Sequence, residues 1–255
     1  MRWADAAIPA GRETIREGGF MKVKNWLVSE AGAVWVGVLL TLIVLIESKL
    51  TAWAPYFIVY AVLAIVIPIW LKTYRFGSFG EGFRDHWKII LSVFLLALFF
   101  DQAVFNWFYQ WILNLAGAGA DPFYSLNATL TVMIDAIASK FSITADSARM
   151  LYAFFIILWA PVGEELLYRG YLQGVLRKTR SFRFSAILSS VFFGVRHATH
   201  LFFLWPNVPW GAMLSWVVGA WVFGLLMSYL YEKTKSLYPP MLVHAAVNLV
   251  ELLFM

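Results

Sequence analysis

Three short groups of residues carry side chains able to do chemistry, and all three lie in apolar surroundings. Glu164, Glu165 and Arg169 fall within the run P-V-G-E-E-L-L-Y-R from Pro161 to Arg169. Phe193, Arg196, His197 and His200 follow about 30 residues on, then His244 and Asn248 near the end of the chain. A charge held away from water costs several kcal/mol or is neutralised, so three together need a reason. On an α-helix Glu165 and Arg169 share a face four residues apart, acid before base, the favourable order for a pair. Glu164 is then turned about 100° away from them, with no such partner nearby. A carboxylate left alone among apolar groups becomes a stronger base. Beside a histidine it can hold and deprotonate a water, while a second histidine with a carboxamide can donate hydrogen bonds to an oxyanion. Together these groups outline hydrolysis of an amide bond without a covalent intermediate.

The elements that must position these groups are membrane helices. Of 255 residues, 61% are hydrophobic, 18% aromatic and only 14% charged, and the mean hydropathy is +0.71. Soluble domains average about 45–50% apolar and about 25% charged. The chain has no cysteine, which excludes disulfides, thiolate catalysis and cysteine-based zinc sites. The net charge of +5 is read as topology bias rather than nucleic-acid binding, because the Lys and Arg residues lie in loops beside apolar runs.

The fold class is all-α: a polytopic membrane helix bundle of seven transmembrane helices with one interfacial amphipathic helix. The spans are about 33–46, 54–71, 89–116, from Thr144 or Asp146 as N-cap to about Arg177, then 184–203, 210–231 and 240–254. Asn127 to Phe141 is too short and polar to span comfortably and reads as the interfacial helix; its insertion would make eight spans. Pro161 and Gly163 predict a kink or an opened backbone in the fourth span. Small residues four apart in the sixth, at Gly211, Ser215 and Gly219 and at Ala220, Gly224 and Ser228, let helices approach closely. Residues 1–30 form a polar N-terminal segment with an alternative start at Met21 and no cleaved signal peptide. Residues 31–255 form one membrane domain, its motif-bearing core at 146–255. The basic loops at 1–30, 72–88, 177–183 and 232–235 place the N-terminus in the cytoplasm and the C-terminus outside.

Three ordered motifs, Glu164-Glu165-x-x-x-Arg169, Phe193-x-x-x-His197 and His244-x-x-x-Asn248, each on an apolar helix, resemble those of the CAAX-protease and bacteriocin-processing (CPBP) family of intramembrane endopeptidases. The resemblance covers about Trp159 to Val250. It implies Glu164 as the base activating water with His197 assisting, His244 and Asn248 as an oxyanion hole, and Glu165 and Arg169 as structural or substrate-orienting groups. No cofactor is required on this reading; the alternative is zinc held by Glu164, His197 and His244, although H-E-x-x-H is absent. The partners are the lipid bilayer and a membrane-bound or lipidated peptide in a bacterial cytoplasmic membrane.

Two other functions compete: a transporter or channel lined by the polar groups, and a non-catalytic immunity or scaffold protein. Asp101, Gln102 and Asn106 could line a polar path in the third span, and Arg196 could snorkel, pair with Asp101 or serve a substrate. Glu251 reads as reaching the interface, and His86 and His200 as ordinary packed groups. One spacing is awkward. His197 lies roughly 20 Å along its helix from the inner end and His244 roughly 8–9 Å along its own, so their meeting requires tilt or an early start of the fifth span.

Overall fold

The computed structural model describes residues 19, 21–51, 56–74, 76–77, 79–115, 126–199 and 210–253. Every regular element among them is helical. A short helix α1 (Met21–Leu27) meets α2 (Glu30–Thr51) at 80°. Next come α3 (Tyr56–Leu71) and the single turn and a half of α4 (Phe79–Arg84). Helix α5 is continuous over Trp87–Phe99, a π-helical stretch Phe100–Phe105, and Asn106–Leu115. After α6 (Leu126–Phe141) come α7 (Ala145–Leu176), α8 (Phe182–His197), α9 (Trp210–Thr234) and α10 (Tyr238–Leu253).

Large apolar side chains point outward all around this bundle. Leu39, Leu95, Trp107, Met150, Ile187 and Leu214 are among those left exposed. Such a surface is stable in lipid and not in water, and the protein is an integral membrane protein. The expected all-α class holds, but the count of seven spans is not reached on length. Trp87–Ile112, Ala145–Leu176 and Trp210–Thr234 are long and apolar enough to cross a membrane, and the bent pair Met21–Leu27 and Glu30–Ile46 makes a fourth if taken as one span. Helices α3, α8 and α10 have 16 residues each. At 1.5 Å per residue they fall short of the ~30 Å of a hydrocarbon core.

Helix α7 is the central element. Its first turn is capped by Thr144, whose hydroxyl accepts the Ser147 N–H at 3.2 Å, so of the two expected caps Thr144 is used and Asp146 lies in the first turn. Its early residues Ala148 and Tyr152 pack with Ile134 and Ile137 of α6, Phe105 and Tyr109 of α5, and Ala212 and Trp216 of α9. Its later residues Leu167, Tyr168, Tyr171 and Leu172 form a second core with α2, α3 and Phe193 of α8. Helix α10 closes the other side through Val243 and Val247, against Val93 and Ala97 of α5 and Met227 and Leu230 of α9.

The small residues of α9 serve packing as expected. A β-carbon at Gly219 would lie 2.4 Å from the Phe105 ring, and one at Gly224 would lie 3.0 Å from the Ser190 side chain. The approach is reciprocal: at Gly194 of α8 a β-carbon would lie 2.6 Å from the Val217 carbonyl oxygen.

The opened backbone expected at Pro161 and Gly163 is present on both sides of them. Phe155–Trp159 is π-helical, Ala160–Glu164 returns to α, and Glu165–Gln173 is π-helical again.

Candidate active site

Glu164 and Glu165 stand where α7 changes from α to π register. A π turn closes its hydrogen bonds over five residues instead of four, so each residue advances through a smaller angle. The two carboxylates, expected to point about 100° apart, nevertheless reach different atoms of the same side chain. Both face one imidazole: His244 Nδ1 lies 2.9 Å from Glu165 Oε1 and His244 Nε2 lies 3.8 Å from Glu164 Oε2.

The pair between Glu165 and Arg169 forms as its spacing predicts, with Arg169 Nε 3.2 Å from Glu165 Oε2 and both side chains fully buried. Arg169 also donates from Nη2 to the Gly224 carbonyl at 2.9 Å and lies 4.8 Å over the Phe193 ring. Glu165 is thereby held from two sides, by Arg169 and by His244.

Glu164 is not without a partner, contrary to the sequence expectation. Arg196 of α8 brings Nη2 to 3.0 Å from Glu164 Oε1, with both side chains buried. That contact is charge without alignment: among the described residues Glu164 Oε1 accepts no hydrogen bond of good geometry. Arg196 in turn lies 4.9 Å over the ring of Tyr60 from α3, and Tyr60 donates its hydroxyl hydrogen to Tyr168 Oη at 3.0 Å. Sequence reasoning missed Tyr60, which lies outside the motif region. Nothing local singled it out, because α3 also carries Tyr56, Phe57 and Trp70. Two carboxylates and two guanidiniums make the pocket formally neutral when His244 is neutral, which is how four ionisable groups persist in it.

His197 and His244 do come together despite the awkward spacing, with Phe193 between them. The Phe193 ring centroid is 4.6 Å from that of His197 and 6.0 Å from that of His244. His197 Nδ1 donates to the Phe193 carbonyl at 2.8 Å, because a carbonyl can only accept. In the neutral ring this leaves Nε2 as an acceptor. Of Arg196, for which snorkelling, a pairing with Asp101 and a substrate role were all open, the structure shows the contact with Glu164. Asp101 accepts from Gln102 Nε2 at 2.6 Å and hydrogen-bonds Glu251, so Glu251 turns toward α5. The Asn106 side chain and His200 lie outside what is described.

Asn248, one turn beyond His244 on α10, donates from Nδ2 to the carbonyl of Ile156 at 2.6 Å. Among the described residues no group of three or more His, Asp and Glu side chains is spaced to hold a metal ion. A cation added at Glu164 would meet the Arg196 guanidinium already there. As they stand, Glu164, His197 and His244 do not fit a zinc site.

Comparison with known proteins points to the same segment. Residues 146–250 match the family model of the type II CAAX prenyl endopeptidase Rce1-like domain. A curated protein of Bacillus subtilis (strain 168), named "Putative membrane peptidase YdiL", is 27% identical over 88 residues, covering 34% of this chain and 30% of that protein. The match thus spans under a third of that relative. No solved structure matches the chain. The family resemblance carried by the three motifs is therefore shown over the segment that contains all of them.

Proposed function

We propose that this protein is an intramembrane endopeptidase that hydrolyses a peptide bond of a membrane-bound or lipidated peptide, with water activated by Glu164. The observation that carries this reading is the convergence of both glutamates on His244. Glu165, tied to Arg169, fixes the imidazole through Nδ1, which points Nε2 toward Glu164. Glu164 then takes a proton from water as the hydroxyl adds to the scissile carbonyl, and returns it to the leaving amine. His197 Nε2 assists by accepting a hydrogen bond from the same water. His244, as an imidazolium whose Nδ1–H stays on Glu165 while Nε2–H donates, and an amide hydrogen of Asn248 stabilise the oxyanion.

No metal takes part in this scheme. The protein sits in a bacterial cytoplasmic membrane with its N-terminus in the cytoplasm, consistent with the basic loops. The experiment is cleavage of a fluorogenic prenylated peptide by purified full-length protein, with Glu164→Gln as the control. Unchanged cleavage by that variant would sink the proposal. Failure to cut the prenylated peptide, with success on an unmodified membrane peptide, would redirect the substrate class alone.

A further inference from the structure

We infer that Asn248 is a positioning residue that replaces the backbone N–H which Pro161 lacks, locking α10 against the opened stretch of α7. The argument begins with one carbonyl. In an α-helix the oxygen of Ile156 would accept from the N–H of Ala160, four residues on. That N–H bonds instead to Phe155, five residues back, in π register. In the same register Ile156 would accept from residue 161, which is proline and has no N–H to give. Its carbonyl is therefore orphaned by the sequence itself, inside a membrane protein where water is scarce. Asn248 Nδ2 fills the gap at 2.6 Å.

The consequence reaches the site. Helix α10 is fastened to α7 at two points, Asn248 to Ile156 and His244 to Glu165, on either side of the α-helical segment Ala160–Glu164. Rotation or sliding of this segment would carry Glu164 away from His244 Nε2. The second amide hydrogen of Asn248 stays available, and the Ile156 carbonyl sets the plane in which it points. This role rests on the proposed hydrolytic reading for its functional meaning, but the clamp itself does not.

The test is a double-mutant cycle on the full chain in detergent, with Asn248→Ala, Pro161→Ala and the two together. Pro161→Ala supplies the missing N–H. Asn248→Ala alone lowers the melting temperature by about 2–4 °C, the size of one buried hydrogen bond in a chain of this length. It also lowers kcat on the fluorogenic prenylated peptide roughly tenfold, with little change in KM. In the Pro161→Ala background the loss of Asn248 no longer lowers the melting temperature, and part of the kcat returns. Equal effects of Asn248→Ala in both backgrounds would overturn the clamp. An effect on kcat alone, without any thermal effect or rescue, would overturn it too and leave only the oxyanion role. Should Asn248→Ala fail to fold, folding of the double variant supports the clamp and its failure to fold refutes it. If no variant and not even the wild type cuts the peptide, the thermal cycle still decides, separating this inference from the proposed activity.

Discussion

Replacing Glu164 by Gln keeps the shape of the side chain and removes one charge from the contact with Arg196. At 3.0 Å the attraction between two unit charges is about 5–6 kcal/mol at an effective dielectric constant of about 20. Desolvation of both groups offsets much of that. What counts for a variant is the guanidinium left behind, and removing one partner of a buried pair costs about 3–5 kcal/mol. The Gln oxygen keeps a dipole beside the Arg196 guanidinium, so the loss falls near the lower end, about 3 kcal/mol. For a chain of this length that lowers the melting temperature by roughly 6–12 °C. Cleavage falls by about 10²–10⁴-fold, the usual worth of a general base.

The loss of stability and the loss of cleavage then have to be separated, and Arg196→Met does so. Methionine keeps an unbranched side chain against the Tyr60 ring and removes the stranded charge. In the double variant both ions are gone, and apolar replacement of a buried pair is commonly neutral or stabilising. The melting temperature therefore recovers to within a few degrees of wild type, while cleavage does not return. Glu165→Gln provides the contrast, because its stranded partner is Arg169 and Arg196→Met gives it no relief. The assay is thermal unfolding in detergent beside turnover of the same preparations. Two results would refute the reasoning: cleavage within tenfold of wild type in Glu164→Gln, or a double variant no more stable than Glu164→Gln alone.

Three further outcomes can be checked. A chelator leaves cleavage unchanged; a loss that added zinc restores would revive the set Glu164, His197 and His244 as ligands. Gly194→Ala drives a β-carbon toward the Val217 carbonyl at 2.6 Å and the Trp221 nitrogen at 3.2 Å, backbone atoms that cannot swing aside. It costs about 1–3 kcal/mol by thermal unfolding and lowers cleavage as well, since Arg196 and His197 ride on the displaced helix. Tyr60→Phe orphans the Tyr168 hydroxyl at about 1–3 kcal/mol but keeps the ring beneath Arg196, so the melting temperature falls while kcat changes little.

What the sequence carried was whatever depends on local spacing. Glu165 and Arg169 are paired because four residues make one turn, and that needs no knowledge of the fold. The cap at Thr144 and the opening at Pro161 are local in the same way. The partner of Glu164 was not legible, because Arg196 is 32 positions away and which side of α8 it occupies depends on how α8 packs against α9. Tyr60 was hidden for the same reason. That Glu164 and Glu165 both reach His244 was not legible either, because it depends on where α10 packs against α7. The number of spans is not fixed by apolar runs alone, because such a run marks what prefers lipid and not how long the resulting helix is, and the described part of α8 has 16 residues.

The two openings of α7 and the one-turn spacing of His244 and Asn248 answer the same physical problem. Helix α7 leaves α register on both sides of Ala160–Glu164, and leaving it disturbs the hydrogen bonds that make a helix tolerable in lipid. Proline makes the disturbance permanent by removing a donor. A helix packed alongside can repair this only if its side chains reach both the carboxylates and the orphaned carbonyl. Helix α10 does so with His244 for the first and Asn248 for the second, both on one face because they are four residues apart. The final motif then has a structural role beside the proposed one of donating hydrogen bonds to a reacting carbonyl. It is the part of α10 shaped to the defect in α7, and its spacing follows from that defect. Shifting Asn248 by one position along α10 would therefore disable the site even if an amide still faced the pocket.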